Sequence, residues 1–330
     1  MQVTGSGDFA LRAGGSAVTV GAYDGVHLGH RRLLERMLEH AHRLSVESVV
    51  VTFDRHPAAV VRPESAPPLL TDLEQKLELL AACGVDTTLV LAFDSSRAEE
   101  PAEQFVTSTL VETLGARVVV VGGDFHFGHR RMGDVGLLRS MGHRYGFEVD
   151  GVELTAEGGT PVSSTRIRGL VAEGRVAEAA ALLGHVHEVR GPVVKGDGRG
   201  GSLLGFPTAN VAVPSEIAVP GVGIYAGWCT CADGLPRPAA ISVGRRPTFY
   251  DPADGGAPAQ IEAHILGFQG DLYGQRVRLA FADRLRDERR FERIEDLVDQ
   301  MARDVAQVDR LLSRAPGPDR RAGHPDPKGG

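Results

Sequence analysis

The stretch that decides the fold is Ala17-Val18-Thr19-Val20-Gly21-Ala22-Tyr23-Asp24-Gly25-Val26-His27-Leu28-Gly29-His30. A β-branched run ends in a turn punctuated by glycine. Behind it, Leu33, Leu34, Met37, Leu38 and Ala41 recur on one helical face. A helix N-terminus presents unpaired N–H groups and the positive end of a dipole, so it attracts phosphate. Gly21, Gly25 and Gly29 let the main chain approach a ligand with no Cβ in the way. His27 and His30 lie three residues apart, on one face of the first turn. Two imidazoles there can donate to the oxygens of a phosphate undergoing substitution.

Outward from this stretch, apolar runs at 48–53, 88–93, 117–122 and, more weakly, 147–154 alternate with helical patterns at 72–83, 102–114 and 136–145. That alternation predicts an α/β domain with a parallel sheet and helices on both faces. Ligands of such sheets sit beyond the C-terminal ends of the strands, where the glycine clusters fall. A single further helical stretch is expected over 163–183. Near residue 185 the pattern changes to Val/Ile-rich segments at 211–213, 223–229, 239–243, 260–266 and 275–281, separated by Gly, Pro and Asp. Closely spaced strands of this kind predict a small antiparallel barrel or sandwich. Ile294, Leu297, Val298, Met301, Val305 and Leu311 predict one amphipathic helix that closes it. Residues 315–330 are polar and rich in Pro and Gly, and are expected to be a disordered tail. The expected domains are therefore 1–186 and 187–314, with the tail beyond.

The composition narrows the class. Of 330 residues 42 are glycine, roughly twice the average share of about 7%, without the three-residue period of collagen. The net charge of −7 argues against a protein that coats nucleic acid or anionic membrane. No apolar run is long enough to span a bilayer, and the first residues show no secretory pattern. Three cysteines, Cys83, Cys229 and Cys231, form no paired framework, so reduced thiols and a cytoplasmic setting are expected. Small-molecule partners are expected, and self-association is open.

Two further stretches suit phosphates. Val162-Ser163-Ser164-Thr165-Arg166-Ile167-Arg168 places three hydroxyls and two arginines at a helix start. This supplies donors and positive charge for a triphosphate; the hydroxyls alone would equally make an ordinary N-cap. Farther on, the glycine-rich flap Gly196-Asp197-Gly198-Arg199-Gly200-Gly201 precedes Gly205-Phe206-Pro207-Thr208-Ala209-Asn210. Residues i and i+2 of a strand face the same side, so Thr208 and Asn210 can share one ligand. Both offer hard oxygens of the kind Mg²⁺ takes alongside phosphate and water. An ordinary edge strand after a polar loop is the plainer alternative. No Gly-Lys-Ser/Thr follows the glycines, so this is not a Walker loop.

His-x-Gly-His at a strand-to-helix turn resembles the nucleotidyltransferase superfamily. Taken with Phe53-Asp54-x-His56-Pro57, Gly122-Gly123-Asp124-Phe125-His126-Phe127-Gly128 and Ser163-Ser164-Thr165-x-Ile167-Arg168, it resembles the bacterial bifunctional riboflavin kinases/FMN adenylyltransferases over about 16–186. Pro207-Thr208-Ala209-Asn210, Gly223-Ile224-Tyr225-Ala226, Ile261-Glu262-Ala263-His264, Leu272-Tyr273-Gly274 and Leu285-Arg286-x-Glu288-x-x-Phe291 extend that resemblance over about 187–312. It implies a Rossmann-like nucleotidyltransferase domain followed by a small antiparallel β-barrel kinase domain. It also implies two reactions, riboflavin to FMN and FMN to FAD, each using ATP, with Mg²⁺ at the kinase site. Implied site residues in the first domain are His27 and His30, with Gly21, Asp24, Gly25, Gly29, Ser163, Ser164, Thr165 and Arg168 for ATP and His56, Asp124 and Phe125 for the flavin. In the second domain Glu262 is the implied base, Gly196, Arg199, Gly200 and Pro207 meet ATP, Thr208 and Asn210 hold the metal, and Arg286 and Phe291 meet the flavin.

Tyr23 and Arg55 stand where the family usually has Phe and Pro, and Gly201-Ser202-Leu203 lacks a basic residue many members carry. A paralogue with one site silent or tuned to a flavin analogue stays open. So do another nucleotidyltransferase, a non-catalytic flavin or nucleotide sensor, and a metal protein built on the His27/His30 and His126/His129 pairs.

Overall fold

The structure, a computed structural model, describes residues 1–5, 14–153, 156–157, 160–196, 206–245, 259–313 and 317–318. Two compact units divide it, Met1–Ser164 and Thr165–Gly330.

The first unit is built on β1 Gln2–Thr4, β2 Ser16–Val20, β3 Glu47–Phe53, β4 Thr87–Leu91, β5 Ala116–Gly122 and β6 Glu148–Val152. All pair in parallel, in the order β1-β4-β3-β2-β5-β6. The helices are α1 Leu28–Leu44, α2 Ala58–Val61, α3 Leu73–Ala82, α4 Ser95–Glu99, α5 Ala102–Phe105 and α6 Val135–Tyr145. After α5 the chain widens into π-turns over Val106–Thr113, where sequence periodicity predicts one continuous helix.

Both faces of the sheet are dry, as expected of a parallel sheet. Val18, Val49, Val51 and Val119 pack with Leu110 and Leu138 on one side, while Ala17, Val50, Val118 and Val120 pack with Leu34, Met37 and Leu80 on the other. The chain runs from β2 outward to β3 and β4, then returns to β5 on the far side of β2. The strand order therefore reverses at β2, and the crevice at its C-terminal end is where such sheets hold ligands. A two-stranded hairpin follows, β7 Ala156–Glu157 with β8 Thr160–Pro161.

α7 Ser164–Ala172, whose first residue still counts with the first unit, and α8 Val176–Leu183 open the second unit. The expected single helix is broken at Gly174, whose φ of 76° no helix interior accommodates. The residues then form β9 His187–Val194, β10 Ala209–Val211, β11 Gly223–Thr230, β12 Pro236–Arg245, β13 Ala259–Ile265 and β14 Arg276–Arg286. These close into an antiparallel barrel in the order β10-β13-β12-β11-β14-β9, which resolves the barrel-or-sandwich alternative. Closure removes the free edges that an open sheet would expose.

Helix α9, Ile294–Leu312, covers the barrel. Its inward face differs in detail from the expected one. Ile294 and Leu311 are exposed, whereas Val308 and Leu312 pack on Ala226, Trp228 and Ala280. Arg199, Gly200 and the flap departure at 201–203 lie outside the described residues, as does nearly all of the expected tail.

Candidate functional site

Between β2 and α1 the backbone is held in conformations that side chains resist. Tyr23 and Val26 have φ of 51° and 38°, with Gly25 between them at 83°. A β-branched residue at positive φ is a genuine outlier, kept only where its surroundings over-determine it. Here they do. The Asp24 carboxylate accepts from the Leu70 N–H at 2.9 and 3.1 Å and from the Thr71 N–H at 3.1 Å, and the Gly25 N–H donates to the Thr71 hydroxyl at 3.1 Å. Asp24, expected among the phosphate contacts, is buried and committed to the 70–71 backbone. These bonds make it a shaper of the loop.

At the start of α1, His27 is the N-cap, its Nδ1 accepting from the His30 N–H at 3.3 Å. The two imidazoles stack with centroids 3.6 Å apart, and the buried Tyr23 ring lies 4.9 Å from His30. Burial, then the neighbouring His27 and Lys76, hold the His30 imidazole well below the usual histidine range. It is therefore neutral at pH 7. Its Nδ1 is buried and finds no hydrogen-bond partner among the described residues, a costly state for a polar atom.

Ser164 closes this cradle from the other end of the unit, its hydroxyl donating to the Asp24 carbonyl at 3.0 Å. Ser163 adjoins it, while Thr165 and Arg168 follow in α7, counted with the second unit. The expected flavin residues emerge on neighbouring loops at the same sheet edge. His56 follows β3, its Nδ1 accepting from the Ala58 N–H at 3.1 Å, and Asp124 and Phe125 follow β5, with the Phe125 ring stacked on Phe127. Arg55 is exposed and pairs with Asp54 at 3.3 Å.

The barrel places its polar groups by strand alternation. Ile261, Ala263 and Ile265 enter the barrel core, so Gln260, Glu262 and His264 share the opposite face. Register sets Asn210 of β10 and Ser242 of β12 on either side of Glu262. The Thr208 hydroxyl donates to Glu262 Oε2 at 3.2 Å, and Gln260 Nε2 donates to Glu262 Oε1 at 2.7 Å, lying 3.4 Å from Asn210 Oδ1. The Pro207 carbonyl is 2.9 Å from His264 Nδ1. At Gly196 a Cβ would collide with the Asn210 amide, so glycine is what lets the chain pass over it.

Beside Glu262 opens a cavity of about 260 Å³. Leu297, Met301 and Val305 of α9 give it an apolar wall, and Phe206, Phe291 and Arg286 also line it. The Arg286 guanidinium is bound bidentately to the buried Asp304 at 2.6 to 3.1 Å, and Gln300 donates to the same carboxylate at 2.8 Å. Arg286 thus fixes α9 against the end of β14 and makes the wall.

The donor set fits a small hard cation. A hydroxyl, an amide oxygen and a carboxylate are brought together by register and hydrogen bonding, with the main chain at Gly196 passing close to the amide. No group of three or more His, Cys, Asp or Glu side chains able to hold a metal occurs among the described residues. Thr208 and Asn210 suit Mg²⁺ that completes its shell with phosphate and water.

Sequence reasoning missed three things here: the 70–76 segment beneath the cradle, Gln260 beside Glu262, and the Asp304 partner of Arg286. The Asp72-x-x-Gln75 capping box that starts α3 was legible in principle, but its meeting with Asp24 was not.

A nucleotide-type crevice in a parallel sheet, followed along the chain by a barrel with a carboxylate beside its cavity, defines a class of two-site transferase. Known proteins agree in both halves. The family model for FAD synthetase matches residues 11–166 and that for riboflavin kinase matches 183–312. The Escherichia coli K12 bifunctional riboflavin kinase/FMN adenylyltransferase is 37% identical over 290 residues, 88% of this chain and 90% of that one. Its Pseudomonas fluorescens counterpart is 37% identical over 299 residues, covering 91% and 94%. A Streptococcus pneumoniae crystal structure described as a macrolide-efflux protein superposes with a TM-score of 0.82 at 28% identity, over 96% of this chain and all of that one. In this chain no described helix is long and apolar enough to cross a membrane. The chain belongs to the bifunctional riboflavin kinase/FMN adenylyltransferase family.

Proposed function

We infer that the chain catalyses two successive transfers in flavin cofactor synthesis: riboflavin + ATP → FMN + ADP, then FMN + ATP → FAD + pyrophosphate. Family membership carries the pair of activities. The observation that carries the assignment of residues is the meeting of Thr208, Asn210 and Glu262 on one barrel face beside the cavity.

In the first reaction the nucleophile is a neutral ribityl hydroxyl, which must lose a proton. Glu262 is placed to accept it, with the flavin ring in the cavity against α9, Arg286 and Phe291. Thr208 and Asn210 would hold Mg²⁺, which when bound neutralises charge on the transferring phosphoryl group. Gly196 and Pro207 border the ATP side.

In the second reaction the nucleophile is the FMN phosphate, already anionic, so no base is needed. The requirement is in-line positioning and stabilisation of charge on the α-phosphate and the departing pyrophosphate. His27, the neutral His30 and the N–H groups at the start of α1 serve that role, with Gly21, Gly25, Gly29, Ser163, Ser164, Thr165 and Arg168 on the ATP and His56, Asp124 and Phe125 on the FMN. ATP as the shared co-substrate supports a cytoplasmic setting with small molecules as partners.

Incubation with riboflavin, ATP and Mg²⁺, followed by chromatographic separation of the flavins, should show FMN rising first and FAD after it. Chelation of the metal should stop FMN formation. FMN without FAD, or no conversion at all, would contradict the two-step reading.

A further inference from the structure

Lys76 of α3 is a buried cation that neither reaction has used. Only 7% of it is exposed, and its ammonium donates to two main-chain carbonyls, Phe53 at 2.8 Å and Ala22 at 3.3 Å. Phe53 ends β3, and Ala22 lies just past the end of β2. One leads into Asp54-Arg55-His56, the loop assigned to the flavin, and the other sits in the strained loop assigned to ATP. The 70–76 segment therefore grips the cradle at three points: Leu70 and Thr71 on Asp24, Thr71 on Gly25 and Lys76 on Ala22.

The charge is as informative as the geometry. An ammonium has three N–H donors, and two are taken. Among the described residues no carboxylate pairs with it at contact distance. The groups facing it are Asp24 from the loop after β2, Asp54 from the loop after β3 and His30 from α1. A lysine that desolvated is expensive to keep charged. A buried cation with a spare donor, held under the two loops assigned to ATP and flavin, is a setting prepared for an anion.

We propose that Lys76 is a positioning residue for adenylyl transfer, clamping the ATP loop to the FMN loop and supplying the fixed positive charge under the cradle. The inference rests on the reading of the first unit as the adenylyltransferase.

Burial pulls the Lys76 ammonium down to about 8, against smaller opposing effects of Asp24 and Asp54. It is charged below that pH and loses its charge above it. A group that must be charged gives a rate that falls as pH rises through that value, and kcat/KM reports the free enzyme. The wild-type chain should therefore show kcat/KM for FAD formation from FMN falling above about pH 8. In K76R, where the guanidinium stays charged, that limb should be absent. K76M should lower kcat/KM about a hundredfold, raising KM for both ATP and FMN, with FMN formation from riboflavin within twofold on the same preparation.

A wild-type profile flat through pH 9.5, or an unmoved limb in K76R, would overturn the proposal. So would a K76M chain within about threefold of wild type. If K76M also loses kinase activity and does not fold, the wild-type and K76R profiles decide alone. FMN left unconverted by the wild type at every pH would instead overturn the adenylyltransferase reading itself.

Discussion

At the end of β2 the polar groups gathered for a ligand are imidazoles, helix N–H groups and a buried ammonium. At the barrel cavity they are a carboxylate, a hydroxyl and two amides. The first set donates and carries positive charge; the second accepts protons and offers hard oxygens. On the proposed assignment, the two nucleophiles account for the difference. An anionic phosphate needs its charge and that of its leaving group stabilised, whereas a neutral alcohol needs its proton removed. In a chain of net charge −7, positive potential for triphosphates has to be local, which is why the cradle relies on backbone strain and burial.

The comparison breaks most visibly at Glu262. E262A should lower FMN formation from riboflavin by about a thousandfold or more, while FAD formation from added FMN stays within twofold; stopped assays with each substrate read both. H30A should do the reverse, lowering FAD formation by about a hundredfold or more and leaving FMN formation intact. Either substitution abolishing both activities in a folded chain would dissolve the contrast between the sites.

Smaller changes sharpen it. D304N removes the partner of Arg286, and breaking a buried pair costs about 3 kcal/mol or more. The barrel unit should then melt earlier in a thermal scan and FMN formation should fall, while FAD formation survives below that transition. Q260M keeps the shape but removes the donor to Glu262 Oε1. FMN formation should drop about tenfold, the scale of one lost hydrogen bond to a charged group, again with FAD formation unchanged. Y23F has the least effect. It strands the Thr19 hydroxyl now 2.6 Å from the Tyr23 oxygen, so stability should fall by about 1 kcal/mol in denaturant titration, with both activities near wild type.

Much of the fold was legible because it is written locally. Valine runs such as 49–51 and 118–121, set between helical patterns, read as buried parallel strands, and Pro207-Thr208-Ala209-Asn210 pointed to the second site. What escaped has a physical reason. β1 is three residues at a sheet edge, too short to show a period. In β9, Gly191-Pro192 interrupts the apolar pattern, although Pro192 sits at a position the barrel tolerates. The structural partners of Asp24 and Arg286 were not readable. Their carboxylate and guanidinium meet partners 46 and 18 residues away, and no window of local sequence reports such pairings. Lys76 was invisible for the same reason: on its helix it looks like any solvated lysine until the fold buries it under the cradle.

The central claim is that two independent sites on one chain act in succession, and mixing tests it most directly. E262A and H30A chains, each supplied with riboflavin, ATP and Mg²⁺, should separately make no FAD: the first should leave riboflavin untouched and the second should stop at FMN. Combined in one tube they should make FAD, because FMN released by one chain is adenylylated by the other. A mixture of folded chains that yields no FAD would contradict the account.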